Sequence, residues 1–188
     1  MKSKITLISI LLIFIAALAR LIPHPSNVTP IAAMAMVGGA YLSRKYIVFL
    51  MPILALYLSD LILNNTALRA YYPDNEGVVW FADYMLWVYG GVAAIVIIAS
   101  FLLKKIKISN LVVTTILGSI AFFLISNFGV WLTGSMYTKD LSGLLSCYGM
   151  AIPFFKYSIL GNFVYVFLLF GAMEFATSYF SKLAPERA

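Results

Sequence analysis

The twenty-three residues from Leu111 to Thr133 contain no charged side chain. At about 1.5 Å per residue a helix of that length covers roughly 35 Å, enough to cross the ~30 Å hydrocarbon layer of a bilayer. In lipid the backbone of such a run must satisfy its own hydrogen bonds, and a helix does so within one segment. Residues 82–103 repeat the pattern, with Asp83 as their one charge.

The rest of the chain follows suit. Of 188 residues, 63% are hydrophobic and 11% charged, against about 45–50% and about 25% in soluble domains. The pattern predicts an all-α integral membrane bundle of six transmembrane helices, filling residues 1–188 as a single domain. The expected spans are about 5–22, 28–42, 46–63, 82–103, 111–133 and 155–180. The second is short, follows Pro23, Pro25 and Pro30, and is rich in alanine and glycine. It reads as a short span buried by its neighbours rather than a re-entrant loop.

Charge sets the expected orientation. With the N-terminus in the cytoplasm, the inner segments hold Lys2, Lys4, Arg44, Lys45, Lys104, Lys105, Lys107, Lys182 and Arg187. The outer segments hold Arg20, Arg69, Lys139 and Lys156. Nine against four follows the positive-inside rule and predicts both termini inside, in the cytoplasmic (inner) membrane of a cell. The net charge of +6 is thereby explained by topology and not by a nucleic-acid partner. Residues 1–19 have a basic start and an Ala17-Leu18-Ala19 end, as a cleaved signal peptide would, but Arg20 and the long apolar run favour an uncleaved helix. The inner connections are short. The outer ones, 64–81 and 134–154, are long and aromatic, which places recognition on the outer face.

Unpaired polar groups in lipid cost several kcal/mol, so each needs a reason. Counted from the outer helix ends, Asn127, Asn162, Tyr89 and Tyr57 fall roughly 10 Å deep. Asp60 lies above them. Asn127 and Trp131 share a helix face at i, i+4 spacing, which suits a ligand platform: an amide to orient and an indole to stack. Tyr148 joins them from the last outer loop. Interhelical hydrogen bonding, worth around 0.6 kcal/mol, explains the asparagines equally well. Asp60 is expected to pair with Arg20 or Arg69, or else to bind a cation or ligand amine. His24 and Cys147, each the only residue of its type, both fall in outer segments; together they could ligate a transition metal or a corrin-bound cobalt, although one His and one Cys alone fall short of a full metal site and a plain loop role is favoured. The sequence predicts no resident cofactor. No Walker A loop, nucleophile elbow or His-Glu-x-x-His motif is present, so a binding protein is favoured over an enzyme.

Longer runs carry a resemblance. His24-Pro25-Ser26-Asn27-Val28-Thr29-Pro30-Ile31-Ala32-Ala33-Met34-Ala35 continues into Gly38-Gly39-Ala40-Tyr41. Later come Ser126-Asn127-Phe128-Gly129-Val130-Trp131, Cys147-Tyr148, Ala151-Ile152-Pro153-Phe154-Phe155 and Gly161-Asn162. Together they resemble the signature of a family of small bacterial membrane proteins of unassigned function. The layout is also similar to the substrate-binding S components of energy-coupling-factor (ECF) vitamin transporters, including the solitary cobalamin transporters. That resemblance implies an outward-facing site for a small organic nutrient or vitamin, with a corrinoid among the candidate ligands. It also implies a coupling subunit and ATPases as partners. Helix 1, reading Ala16-Ala17-Leu18-Ala19-Arg20, lacks the Ala-xxx-Ala pair by which S components dock on their coupling subunit. The expected ligand rests among helices 4 to 6, against Asn127, Trp131, Tyr89 and Asn162, with the outer loops as lids. A membrane enzyme or redox protein with a site under those loops, and a structural or assembly partner in the membrane, are the rival classes.

Overall fold

A computed structural model describes residues 2–25, 27–43 and 46–182. Arg44, Lys45 and Arg187, on which part of the charge asymmetry rests, lie outside the described residues, as does Ser26. The described chain forms six helices: α1 (Lys2–Ala19), α2 (Ile31–Tyr41), α3 (Ile47–Asn65), α4 (Asp83–Leu102), α5 (Ile108–Thr133) and α6 (Leu141–Lys182). A short 3-10 turn, Arg69–Tyr71, interrupts the link from α3 to α4. The helices α3, α4, α5 and α6 are long and apolar enough to cross a membrane, the mark of a multi-pass membrane protein, while α1 and α2 are shorter apolar helices.

Surface and core are those of a bundle in lipid. On α1, Leu7, Leu11, Ile15 and Leu18 recur at helical spacing and are exposed, whereas Ser9, Ile13, Ala16 and Ala17 face inward. Two alanines and a serine pack inside with Ile13, and four large aliphatic side chains point outward, as a lipid-facing helix allows.

At the centre stands α2. Its eleven residues, IAAMAMVGGAY, carry no charge, and Ala32 through Gly38 are all buried. A helix apolar on every side must be enclosed on every side, and α2 packs against all five other helices. At about 16 Å it is half a bilayer long. It begins after Pro30, which cannot continue a helix backwards, and ends where Leu42 turns extended. Two glycines let its neighbours in. A Cβ on Gly38 would lie 2.6 Å from Pro52 Cγ of α3, and one on Gly39 2.6 Å from the Val96 carbonyl oxygen of α4.

Successive helices alternate in direction. Lys4 of α1 lies over the Phe180 ring of α6, Arg20 reaches Asp60 of α3, and Asn162 of α6 meets Ser119 of α5. The start of α1 and the end of α6 therefore share one end of the bundle.

The expected boundaries shift by three residues at the starts of α2, which begins at Ile31 and not 28, and α5, which begins at Ile108 and not 111, and more consequentially in two other helices. The first helix spans Lys2–Ala19 rather than 5–22, which leaves Arg20 just past its end. The last begins at Leu141 and not near 155, so most of the supposed outer loop 134–154 is helix. Asp140 Oδ1 accepts the Gly143 amide at 2.7 Å and caps it. Pro153 sits inside this helix and removes the amide that would otherwise bond to the Gly149 carbonyl. Lys156, expected near the outer start of the last helix, lies exposed well inside α6, its ammonium 5.1 Å from the Tyr157 ring.

Candidate functional site

Above the N-terminal end of α2 the bundle leaves a cavity of about 390 Å³. All six helices or their flanking residues contribute. Its polar lining is Arg20, Asn27, Thr29, Asp60, Tyr84, Ser119, Ser126, Asn127, Ser158 and Asn162, and its apolar lining includes Phe122, Phe123, Phe154 and Phe155. The volume falls within the range of small-molecule sites, as does the mixture of aromatic wall and a few polar groups.

One wall is an ion pair. Arg20 Nη2 donates to Asp60 Oδ1 at 2.7 Å, with the two side chains 10% and 1% exposed. Arg20 Nη1 also donates to the Ser59 hydroxyl and, at 3.5 Å, to the Leu56 carbonyl. Tyr89 donates to Asp60 Oδ2 at 3.1 Å. Each oxygen of Asp60 thus accepts one hydrogen bond, and the residue still lines the cavity. Of the two partners expected for Asp60, Arg20 is the one it takes. Arg69 instead donates to the Asn75 carbonyl. A second polar group lies beside the first: Tyr84 donates to Asn64 Oδ1 at 3.0 Å, and Tyr72 does so at 3.5 Å.

The opposite wall holds the asparagines. Asn162 Nδ2 donates to Ser119 Oγ at 2.8 Å, and Ser119 in turn donates to the Thr115 carbonyl at 2.7 Å. Ser119 has spent its one proton, so Asn162 must present its amide nitrogen there and its carbonyl oxygen elsewhere. Asn127 Nδ2 donates to the Phe123 carbonyl at 2.8 Å, which fixes its orientation by the same logic. Neither Oδ1 finds a partner among the described residues, and both residues line the cavity. Gly161 brings this wall close to the segment before α2, since a Cβ there would sit 2.9 Å from Val28 Cα. Asn27, at φ 66°, makes the left-handed turn that aims Thr29 and α2 at the same space.

Three expected site residues, and Tyr57 of the expected polar layer, lie apart from the cavity. Trp131 is drawn away from Asn127 and donates to the Thr138 carbonyl at 2.8 Å, closing the α5–α6 turn. Tyr89 touches Asp60 from behind. Tyr148 donates to the Leu124 carbonyl at 2.8 Å and packs on Phe123, holding α6 to α5. Tyr57 packs near Val79, Ala82 and Met85, away from the asparagines. The expected placement among helices 4 to 6 is too narrow, because Arg20, Thr29, Ile31, Ala32 and Asp60 come from the first half of the chain. Of the expected lids, 64–81 contributes nothing to the lining, and 134–154 contributes Ala151 and Phe154 from within α6. Asn27, Thr29, Tyr84, Ser119 and Ser158 line the cavity without having been expected site residues, whereas Ser126 had a cue in its place beside Asn127.

His24 and Cys147 stay separate. His24 Nδ1 donates to the Ile22 carbonyl at 2.7 Å, and Cys147 is buried within α6 with its thiol 3.5 Å from the Asn127 carbonyl. Among the described residues no three of His, Cys, Asp and Glu converge as metal ligands.

Comparison with known proteins places the chain in a family while leaving its chemistry to the site. No curated protein and no solved structure matches it. The family model of DUF6580, described as a family of unknown function, matches residues 1–183. That match covers nearly the whole chain, and the protein belongs to the DUF6580 family.

Proposed function

We propose that this protein is a substrate-binding membrane subunit for uptake of a small organic nutrient, and that its ligand occupies the cavity above α2. The observation that carries the reading is the pair Asn127 and Asn162, whose carbonyl oxygens have no partner among the described residues and which line one cavity inside an apolar bundle. Two acceptors that open onto a cavity in an apolar bundle are available to a ligand's donors.

In this reading the chain crosses the inner membrane six times, with both termini in the cytoplasm. The short α2 makes its crossing inside a sheath of longer helices, where it meets little lipid. Substrate arrives from the outer end, where the 20–30 and α5–α6 connections lie. The work of transport comes from a coupling subunit and its ATPases, since the chain carries no Walker A loop. The likeness to ECF S components is one of layout, and the missing Ala-xxx-Ala pair in α1 implies a different docking surface.

Native mass spectrometry of the purified protein, released gently from detergent, tests the reading. A retained small molecule is expected, reduced in occupancy about tenfold or more by Asn127→Ala and by Asn162→Ala, the loss of one good polar contact. Trp131→Phe should leave occupancy unchanged. A protein that carries no small molecule, or one whose ligand survives both asparagine substitutions, would overturn it.

A further inference from the structure

On the asparagine side, each of the two helices lining the cavity carries a phenylalanine pair, then a serine, then an asparagine. On α5 these are Phe122, Phe123, Ser126 and Asn127, and on α6 Phe154, Phe155, Ser158 and Asn162. Steps of three and four residues keep each set on one helix face. The helices run in opposite directions, with Asn162 bonded to Ser119 at 2.8 Å and the centroids of the Phe123 and Phe155 rings 4.8 Å apart. The polar ends of the two sets therefore fall on opposite sides of the phenylalanines. Asn127 and Ser126 lie toward one end of the bundle, and Asn162 and Ser119 toward the other. Ser119 and Asn127 are separated by about 12 Å along α5.

Both polar ends offer acceptors. Ser126 gives its one hydroxyl proton to the Phe122 carbonyl at 2.7 Å, and Ser158 gives its own to the Phe154 carbonyl at 3.2 Å. Ser119 likewise bonds back to the Thr115 carbonyl. Asn127 and Asn162 turn their amide nitrogens to protein acceptors and keep carbonyl oxygens without a partner among the described residues. Asn162 is nine-tenths buried. These five side chains are left with roughly nine lone pairs against two amide hydrogens. Tyr84, elsewhere in the lining, has also given its proton away, to Asn64. Donors come from the segment that enters α2, with Asn27, Thr29 and the leading amides of that helix. Arg20 and Asp60 are the charged residues in the lining and pair with each other at 2.7 Å. A charged ligand would find no unpaired counter-charge there to offset its desolvation.

We infer that the ligand is an uncharged molecule with an apolar body and hydrogen-bond donors at both ends. The body lies against the phenylalanines. One donor, a hydroxyl or N–H, meets the Asn127 carbonyl, and the other meets the Asn162 carbonyl. A molecule of the same shape whose oxygens carry no hydrogen leaves both acceptors unanswered and is rejected for that reason.

This rests on the cavity being the ligand site proposed above, and the two fail separately. Thermal unfolding of the purified full chain in detergent is followed against rising concentrations of four probes. Tyrosol has a ring with a hydroxyl at each end. Its phenol methyl ether has one donor, and its doubly methylated ether has none, while both keep the two oxygens as acceptors. Tyramine replaces the alcohol of tyrosol with an ammonium. Apparent affinity should fall about three- to tenfold with each methyl group, the loss of one hydrogen bond. Partition into the micelle runs the other way, because each methyl makes the probe more apolar. Tyramine should bind more weakly than tyrosol. In Asn127→Ala, whose lost amide bond lies within α5 itself, tyrosol should drop to the level of its one-donor ether. If that variant does not fold, the four probes on the parent protein still decide. Ethers that bind as tightly as tyrosol overturn the donor requirement, and tyramine binding as tightly overturns the uncharged class. Stabilisation by none of the four overturns the inference as a whole. The cavity reading is decided apart from these, by whether native mass spectrometry finds a retained molecule that depends on the asparagines.

Discussion

A Cβ built on Gly39 would lie 2.6 Å from the Val96 carbonyl oxygen and 2.8 Å from the Ala99 Cβ. Both neighbours belong to the backbone side of α4 and have little freedom to retreat. Gly39→Ala should therefore cost about 1–3 kcal/mol, the usual penalty for overpacking a filled interior. Gly171 on α6 is the natural control, with no atom within 4 Å of an added Cβ. Gly171→Ala should be neutral or stabilising by roughly 0.5–1 kcal/mol, from helix propensity alone. Thermal unfolding in detergent distinguishes the two; equal effects would show that α2 and α4 are not in close contact. The small residues around Gly39 were legible in the sequence as a packing face, though not which helices they admit. The cavity was legible only in part. Asn127, Asn162 and Asp60 stand out because an amide or carboxylate in an apolar run demands explanation. Ser119 and Ser158 do not, because a serine inside a helix can bond its own preceding turn, as Ser158 does to the Phe154 carbonyl. Trp131 misled for the opposite reason: i, i+4 spacing put it on the face of Asn127, but the turn that follows supplied a better partner for its indole.

The start of α6 is the element that sequence reading misjudged most. Gly143, Gly149 and Pro153, with Ser142 and Ser146 nearby, have the composition of a loop. What makes them helical is tertiary: Cys147 and Tyr148 pack against α5, and Asp140 caps the first turn. Asp140 also accepts from the Thr138 hydroxyl at 2.9 Å. These bonds favour the ionised carboxylate, the Gly143 amide most, and hold its pKa below the ordinary value. The sign follows from linkage. A carboxylate depressed in the folded state contributes stability that is present above its unfolded value, about 3.9. That stability is lost as pH falls through the lower folded value. Amide exchange at Gly143 and Leu144 should therefore quicken at the acid end beyond its intrinsic pH dependence. Asp140→Asn, which caps without titrating, should remove the excess. Exchange that keeps the same excess in the variant would show that another group controls the turn.

At the scale of the molecule, sidedness follows from alternation and charge together. The contacts that pair Lys4 with Phe180, Arg20 with Asp60 and Ser119 with Asn162 divide the connections between two ends. One end carries the α4–α5 link with Lys104, Lys105 and Lys107, and the other carries the α5–α6 turn. Lysines cluster on the cytoplasmic side of membrane proteins, so the first end should face inward and the cavity should lie toward the outer leaflet. Cys147 is a poor reporter, because its thiol is buried against Asn127. In a Cys147→Ala background, Met136→Cys places a thiol at a residue that is 79% exposed in the α5–α6 turn. Lys105→Cys places one in the opposite link. A membrane-impermeant maleimide added to intact cells should label the first and reach the second only after the membrane is opened. The reverse pattern would turn the molecule over and put the α2 helix end, with its cavity, on the cytoplasmic side. The same groups would then serve export or a cytoplasmic ligand. Labelling of both from outside would mean that the connections do not alternate across a bilayer at all, and the four long helices would have to be reread as a bundle that does not thread the membrane in sequence.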